Sequence, residues 1–130
     1  MDKLGQFVVA FACGQFEDQV EKWVVKRSEY TADEAMISFT TNMVDRYFRN
    51  ADKDKMRSLA ATLGKRVQQD YTARVNPDDE ASLQFLVGER HKIAHGSGQS
   101  MVNLEDAITH VARAKQSLLE LRRAILGGRQ

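Results

Sequence analysis

The sequence contains a single cysteine, Cys13, among its 130 residues. One cysteine excludes an intrachain disulfide and a zinc site built from four cysteines. Because disulfides are the usual cross-links of small secreted domains, this exclusion favours a reducing, cytoplasmic setting. The length suits one hydrophobic core, so we expect residues 1–130 to form a single domain.

The sequence also lacks a marked excess of either basic or acidic residues: 19 basic and 18 acidic residues give a formal net charge of +1. Proteins that coat nucleic acid through its phosphates usually carry a large basic excess. The balance therefore argues against a general nucleic-acid coat. It leaves room for an enzyme that grips a few phosphates at one place.

Long hydrophobic runs are absent as well. The apolar stretch near the start covers only residues 7–13, whereas a membrane-spanning helix needs about 20 apolar residues. The stretch is also at the short end for the core of a signal peptide. We expect no membrane association and assign this stretch to an amphipathic helix of the fold.

What the sequence does contain is helical periodicity. Apolar residues recur at intervals of three and four, and no segment alternates in the manner of a half-buried strand. In the first segment the apolar residues of this pattern are Leu4, Phe7, Val8, Phe11, Phe16, Val20, Trp23 and Val24. The pattern predicts an all-α fold, an antiparallel bundle of about five helices joined by short loops.

Capping residues predict where some of these helices begin and end. Thr31, followed by Glu34, is typical of a capping box. Asn76 before Pro77, the only proline, is a strong helix start. Asn103 is a second N-cap candidate, and Gly127-Gly128 is typical of a helix end.

One stretch is not explained by core or surface alone. Residues 89–96 (ERHKIAHG) bring two of the three histidines and three other ionisable side chains to a predicted helix end. Arg90 carries a planar fork of donors that matches phosphate oxygens. Histidine, as at His95, can both take and give a proton near neutral pH.

The run Arg90-His91-Lys92-Ile93-Ala94-His95 resembles the R-φ-x-x-x-H motif of the HEPN superfamily, in which φ is typically Asn, Asp or His. With its flanking residues and the Asn-Leu-Glu-Asp helix start that follows, the stretch is similar to the RiboL-PSP-HEPN branch. The resemblance implies that Arg90 and His95 are catalytic and that His91 supports them. Lys92 and Ser97 are candidates for RNA contacts.

The same resemblance implies an activity and its partners. HEPN nucleases cut RNA without a metal or cofactor, act as homodimers with the motifs facing across a two-fold axis, and serve as toxins in toxin–antitoxin or phage-defence systems. RNA cleavage by 2′-hydroxyl attack, leaving a 2′,3′-cyclic phosphate, is the expected reaction. Ser97 stands where some of these toxins carry a tyrosine that the partner antitoxin modifies. Met101 and Val102, apolar residues beside the motif, are candidates for the dimer interface.

Other interpretations fit the same residues. On a straight helix Arg90 and His95 lie about 140° apart, whereas His91 and His95 share a face. The two histidines could therefore be part of a metal site, although zinc usually needs a third protein ligand. His110 is more simply a structural histidine. A non-catalytic HEPN-like module that binds a partner protein or a nucleotide is the alternative function.

Overall fold

The computed structural model describes residues 3–48, 52–95 and 102–127, and within these ranges every regular element is an α-helix. The predicted all-α bundle is therefore confirmed. Six helices follow in order: α1 (Lys3–Glu29), α2 (Glu34–Tyr47), α3 (Lys53–Thr62), α4 (Lys65–Arg74), α5 (Pro77–Ala94) and α6 (Leu104–Leu126).

The structure divides residues 53–74 into two helices, α3 and α4. Leu63 caps the end of α3, and Gly64 follows with φ 115°, outside the helical region. Glycine reaches positive φ without the steric cost that a β-carbon imposes. The bundle thus has six helices in the described ranges instead of about five.

Local capping chemistry sets most of the predicted helix ends. The Asn76 side chain accepts a hydrogen bond from the backbone N–H of Asp78 (2.8 Å), and that of Asn103 accepts one from Asp106 (2.7 Å). Gly127 ends α6 in the left-handed conformation, at φ 59°. These three predictions are confirmed.

The predicted cap of α2 is wrong by two residues. Asp33, not Thr31, caps the helix, because its carboxylate accepts hydrogen bonds from the backbone of Ala35 and Met36. The Thr31 hydroxyl instead donates to the Ser28 carbonyl oxygen in the preceding turn.

The centre of the bundle is α6, which packs against both α1 and α5. Helices α1 and α6 run parallel: Gly5 lies against the start of α6, and the Arg27 guanidinium donates to the carbonyl oxygen of Ile125 near its end (3.1 Å). The core is filled by large buried side chains from several helices, including Val9, Phe16, Val20, Tyr71, Leu83, Leu86, Leu121 and Ile125.

A charged residue lies inside this core. Glu80 of α5 is 1% exposed and accepts two hydrogen bonds from the Arg57 guanidinium (2.6 and 2.9 Å) and one from the Tyr71 hydroxyl (3.0 Å). Burial and the neighbouring Glu80 raise the pKa of Tyr71, and the hydrogen bond to Glu80 raises that of Arg57. A buried carboxylate needs such partners to offset its lost hydration, so this cluster ties α3, α4 and α5 together.

The apolar residues of α1 are only partly buried. Phe16, Val20 and Val24 lie in the core, as the periodicity predicted, but Phe7 and Phe11 are 63% and 58% exposed. In the described part of the chain, no helix combines the length and the hydropathy that crossing a bilayer requires.

Candidate functional site

The ionisable side chains of the motif are concentrated at the end of α5. The helix ends at Ala94, and His95 is its C-cap, with its backbone N–H donating to the carbonyl oxygen of His91 (3.1 Å). Arg90, His91 and Lys92 therefore lie on the last turns of a regular helix. The predicted helix end near Gly96 agrees with this, although Gly96 itself lies outside the described residues.

The structure brings His91 and His95 together. Their ring centroids are 4.2 Å apart with an interplanar angle of 57°, and both residues are exposed. This contact follows from their spacing, because residues four apart share a helix face. Two imidazoles so placed can serve one substrate as base and acid.

Arg90 is directed elsewhere, towards α1. Its Nη1 atom lies 3.2 Å from Oε1 of Glu17 in an ion pair. This nitrogen is buried and makes no hydrogen bond of good geometry, although the Arg90 side chain as a whole is 31% exposed. The accessible part of Arg90 therefore consists of its other atoms.

The charge of Arg90 is also felt at Cys13, one turn before Glu17 on α1. Burial raises the pKa of the Cys13 thiol to about 11, and Arg90 partly opposes that rise while Glu17 adds to it. The buried thiol is thus protonated at neutral pH and is not a nucleophile. Cys13, Glu17 and Arg90 form a small cluster at the α1–α5 contact.

Between Arg90 and His95, both described, the structure shows no hydrogen bond, ion pair or ring contact. Helix geometry accounts for this, since five residues turn the helix by about 140°. The two catalytic residues implied by the resemblance therefore make no direct contact within one protomer. The histidine pair does form.

Of the two residues predicted to contact RNA, only Lys92 lies in the described part of the chain. Lys92 is exposed at the surface, where its Nζ makes an ion pair with the buried Glu89 (2.9 Å). Ser97 lies outside the described residues. Of the two interface candidates, Met101 also lies outside them, and Val102 is buried within the protomer at 4% exposure, so Val102 does not offer a docking surface.

A metal site finds no support in the described ranges, which hold no cluster of three or more His, Cys, Asp or Glu side chains suited to a metal ion. The third histidine has a structural environment. His110 Nδ1 lies 3.0 Å from the Ser82 hydroxyl, and its ring stacks on Phe85 at 4.2 Å. His110 thus joins α6 to α5, in line with its predicted structural role.

Sequence reasoning missed Glu17 as a partner of Arg90. In the sequence, Glu17 is one of several polar residues between the apolar positions of α1. The only nearby signal is the preceding residue, Phe16, which is buried in the core. The pairing depends on which face of α5 packs on α1, and helical periodicity does not specify that.

Comparison with known proteins gives no relative: no protein-family model, curated protein or solved structure matches this chain.

Proposed function

We propose that this chain is a metal-independent endoribonuclease that cuts RNA by attack of a 2′-hydroxyl on the adjacent phosphate. The observation that supports it most directly is the exposed pair formed by His91 and His95, 4.2 Å apart at the end of α5. The resemblance of residues 90–95 to the HEPN motif supports the same activity.

The reaction assigns a role to each imidazole. A neutral imidazole takes the proton of the 2′-hydroxyl, and the oxygen attacks phosphorus. The bond from phosphorus to the 5′-oxygen breaks, and an imidazolium gives that oxygen a proton. The products are a 2′,3′-cyclic phosphate and a free 5′-hydroxyl, so no water or metal is consumed in this step.

Arg90 supplies the positive charge that a pentavalent phosphorane needs. In one protomer its Nη1 faces Glu17, so the remaining donors of the fork are the ones that bind phosphate. A homodimer in which two motifs face one another provides two arginines and four histidines, more than each role requires. In this proposal RNA crosses the dimer axis, and Lys92 and Ser97 contact it on either side.

The biological setting proposed is that of a cytoplasmic toxin or phage-defence nuclease, held in check by an antitoxin protein. This part rests on the HEPN resemblance. Such an enzyme would act on RNA when it is released from its antitoxin.

The second candidate is a non-catalytic module that binds a partner protein or a nucleotide. The observation that favours it is the ion pair of Arg90 with Glu17, which occupies part of the guanidinium inside the protein. A phosphate bound by the exposed remainder of Arg90 and by Lys92 would then be held without being cut.

A cleavage assay with purified protein separates the two candidates. End-labelled RNA is incubated with wild type, His95→Ala, His91→Ala and Arg90→Ala, with and without EDTA, and His110→Gln on α6 serves as a histidine control away from the motif. The proposal expects wild type and His110→Gln to cut, and His95→Ala to lose roughly 100-fold or more of the rate.

The products carry a second, independent readout. Ends that resist phosphatase until acid opens a cyclic phosphate support the proposed step. Intact RNA with the wild type, when circular dichroism shows a helical fold, contradicts the nuclease. Cleavage that EDTA abolishes, or a 5′-phosphate product, contradicts the metal-free mechanism.

A further inference from the structure

A large apolar surface lies outside the motif, on the side of the bundle where α1 and α6 run parallel. Four large side chains are exposed there: Leu4 (56%), Phe7 (63%) and Phe11 (58%) on α1, and Ile108 (54%) on α6. We call these four residues the α1–α6 apolar face. A contiguous patch of exposed large apolar side chains often marks a surface that binds a partner.

The face has both ridges and a groove. Phe7 and Phe11 stack on each other, with centroids 5.9 Å apart and an interplanar angle of 20°, so their rings stand as one ridge. The two rings also line a groove of about 310 Å³ between α1 and α6, together with Phe16 and Val111. Ile108 lies one turn before Val111 on α6. In a two-fold dimer the same patch of both copies meets, so a ridge that flanks a groove can enter the groove of the partner.

The area fits a second copy of this chain. If each large side chain presents about 200 Å² when fully exposed, the four exposed fractions amount to roughly 450 Å². A standard interface buries about 800 Å² per partner, of which somewhat more than half is apolar. The α1–α6 apolar face thus supplies about the whole apolar area that a stable dimer of this size needs.

A second apolar ridge on the molecule is smaller. Met36, Phe39 and Met43 are exposed along α2, at 49%, 59% and 38%, which by the same reckoning is about 300 Å² from one helix. This ridge falls short of the area for a stable interface. It provides a control surface with an equally exposed phenylalanine.

We propose that the α1–α6 apolar face is the interface of a two-fold homodimer, in which the Phe7–Phe11 ridge of each copy enters the groove of the other. The proposal rests on the proposed function only in making this dimer the one that completes the nuclease site. The exposure, shape and area of the α1–α6 apolar face support the interface independently of that function.

The test measures the oligomeric state of the full chain and uses no activity. Sedimentation velocity and light scattering are run on wild type, Phe7→Glu, Phe11→Glu and, as the matched control, Phe39→Glu, over about 1 to 100 µM, a range that detects dissociation constants in the micromolar range. We expect dimeric wild type and Phe39→Glu. We expect Phe7→Glu and Phe11→Glu to weaken dimerisation by at least about 30-fold while keeping the helical circular dichroism of the wild type.

Any other pattern of oligomeric states overturns the proposed interface. A wild type that stays monomeric throughout this range would mean that the face binds something other than a second copy. Dimers that persist in both Phe7→Glu and Phe11→Glu would place the interface elsewhere, as would monomers in Phe39→Glu alone. RNA cleavage by a monomeric Phe7→Glu would refute the shared nuclease site and leave the dimer interface standing, so the two failures are distinguishable.

Discussion

Arg90 of α5 and Glu17 of α1 form an ion pair, with Nη1 3.2 Å from Oε1, so a neighbouring helix holds the arginine of the motif. Both side chains are partly shielded, at 31% and 17% exposure. A carboxylate this close competes with any phosphate for the same guanidinium. The strength of RNA binding should therefore depend on Glu17 even though it lies outside the motif.

Glu17→Gln should strengthen RNA binding. The neutral amide leaves the shape of the contact intact but removes the competing charge, and we expect a gain of about three- to tenfold in affinity. The measurement is fluorescence anisotropy with a short labelled RNA and the His95→Ala background, which prevents cleavage.

The control for Glu17→Gln is Glu120→Gln, which removes the same charge from an ion pair with Arg123 (2.8 Å) on α6, where Glu120 is similarly shielded, at 20% exposure. It should change affinity only by the small effect of net charge. Weaker binding in Glu17→Gln would show instead that Glu17 orients Arg90 for the phosphate.

The helix ends and the histidine pair were predictable because their causes are local. An asparagine side chain caps the residue two or three positions ahead, as Asn76 and Asn103 do, and side chains four residues apart, such as His91 and His95, meet on one helix face. The cap of α2 was misplaced because Thr31 and Asp33 both satisfy the pattern, and only the backbone geometry decides between them.

The remainder of the site depends on packing between helices. Periodicity identifies the apolar positions of α1, but they lie on two opposite faces, and it does not show which face packs in the core and which leaves Phe7 and Phe11 exposed. Nor does it show which carboxylates are buried. Glu80 reads in the sequence as one of three acids in the first turn of α5, and only the arrangement of α3 and α4 makes it the partner of Arg57 and Tyr71.

The Glu80 cluster should dominate the stability of the α3–α5 part of the fold. Tyr71→Phe removes the hydroxyl that donates to the buried carboxylate and should lower the free energy of unfolding by about 1.5 to 3 kcal/mol. Arg57→Ala should cost about 3 kcal/mol, because it leaves a buried charge without its main partner. Urea denaturation measures both.

A double-mutant cycle checks that the two residues act on one carboxylate. The combined variant Tyr71→Phe/Arg57→Ala should depart from additivity by about 0.5 kcal/mol or more, since both residues bind Glu80. Strict additivity would contradict a shared network, and a Tyr71→Phe protein as stable as the wild type would contradict the hydrogen bond.

Gly5 marks the closest approach of α1 to the start of α6. A β-carbon at this position would lie 2.8 Å from the backbone atoms Val102 O and Asn103 C. Gly5→Ala should therefore push the two backbones apart and destabilise the fold by about 1 to 3 kcal/mol.

Gly14 on the same helix is the matched control for Gly5, because a β-carbon there meets nothing within 4 Å. Gly14→Ala should stabilise the protein by about 0.5 to 1 kcal/mol through the helix preference of alanine. Thermal unfolding of the two variants gives shifts of opposite sign. A harmless Gly5→Ala would refute the close parallel packing of α1 on α6.

The reactivity of Cys13 reports the integrity of the α1–α5 contact. Because burial raises its pKa from 9.0 to about 11, only about one thiol in a thousand is ionised at pH 8, compared with about one in ten in the unfolded chain. A disulfide reagent should therefore label the native protein at least about 100-fold more slowly than the urea-unfolded protein.

The raised pKa of Cys13 also makes the free energy of unfolding depend on pH in the alkaline range. Below pH 9 the thiol is protonated in both states and contributes no pH dependence; from pH 9 to pH 11 the unfolded chain ionises first, so stability is lost with rising pH. The full loss is about 2 to 3 kcal/mol, and the variant Cys13→Ala should lack it. Urea midpoints measured across this window for both proteins isolate the contribution of the thiol from that of the lysines and tyrosines. Equal slopes for the two proteins, or rapid labelling of the native chain, would show that Cys13 is open to solvent and that α1 does not seal against α5.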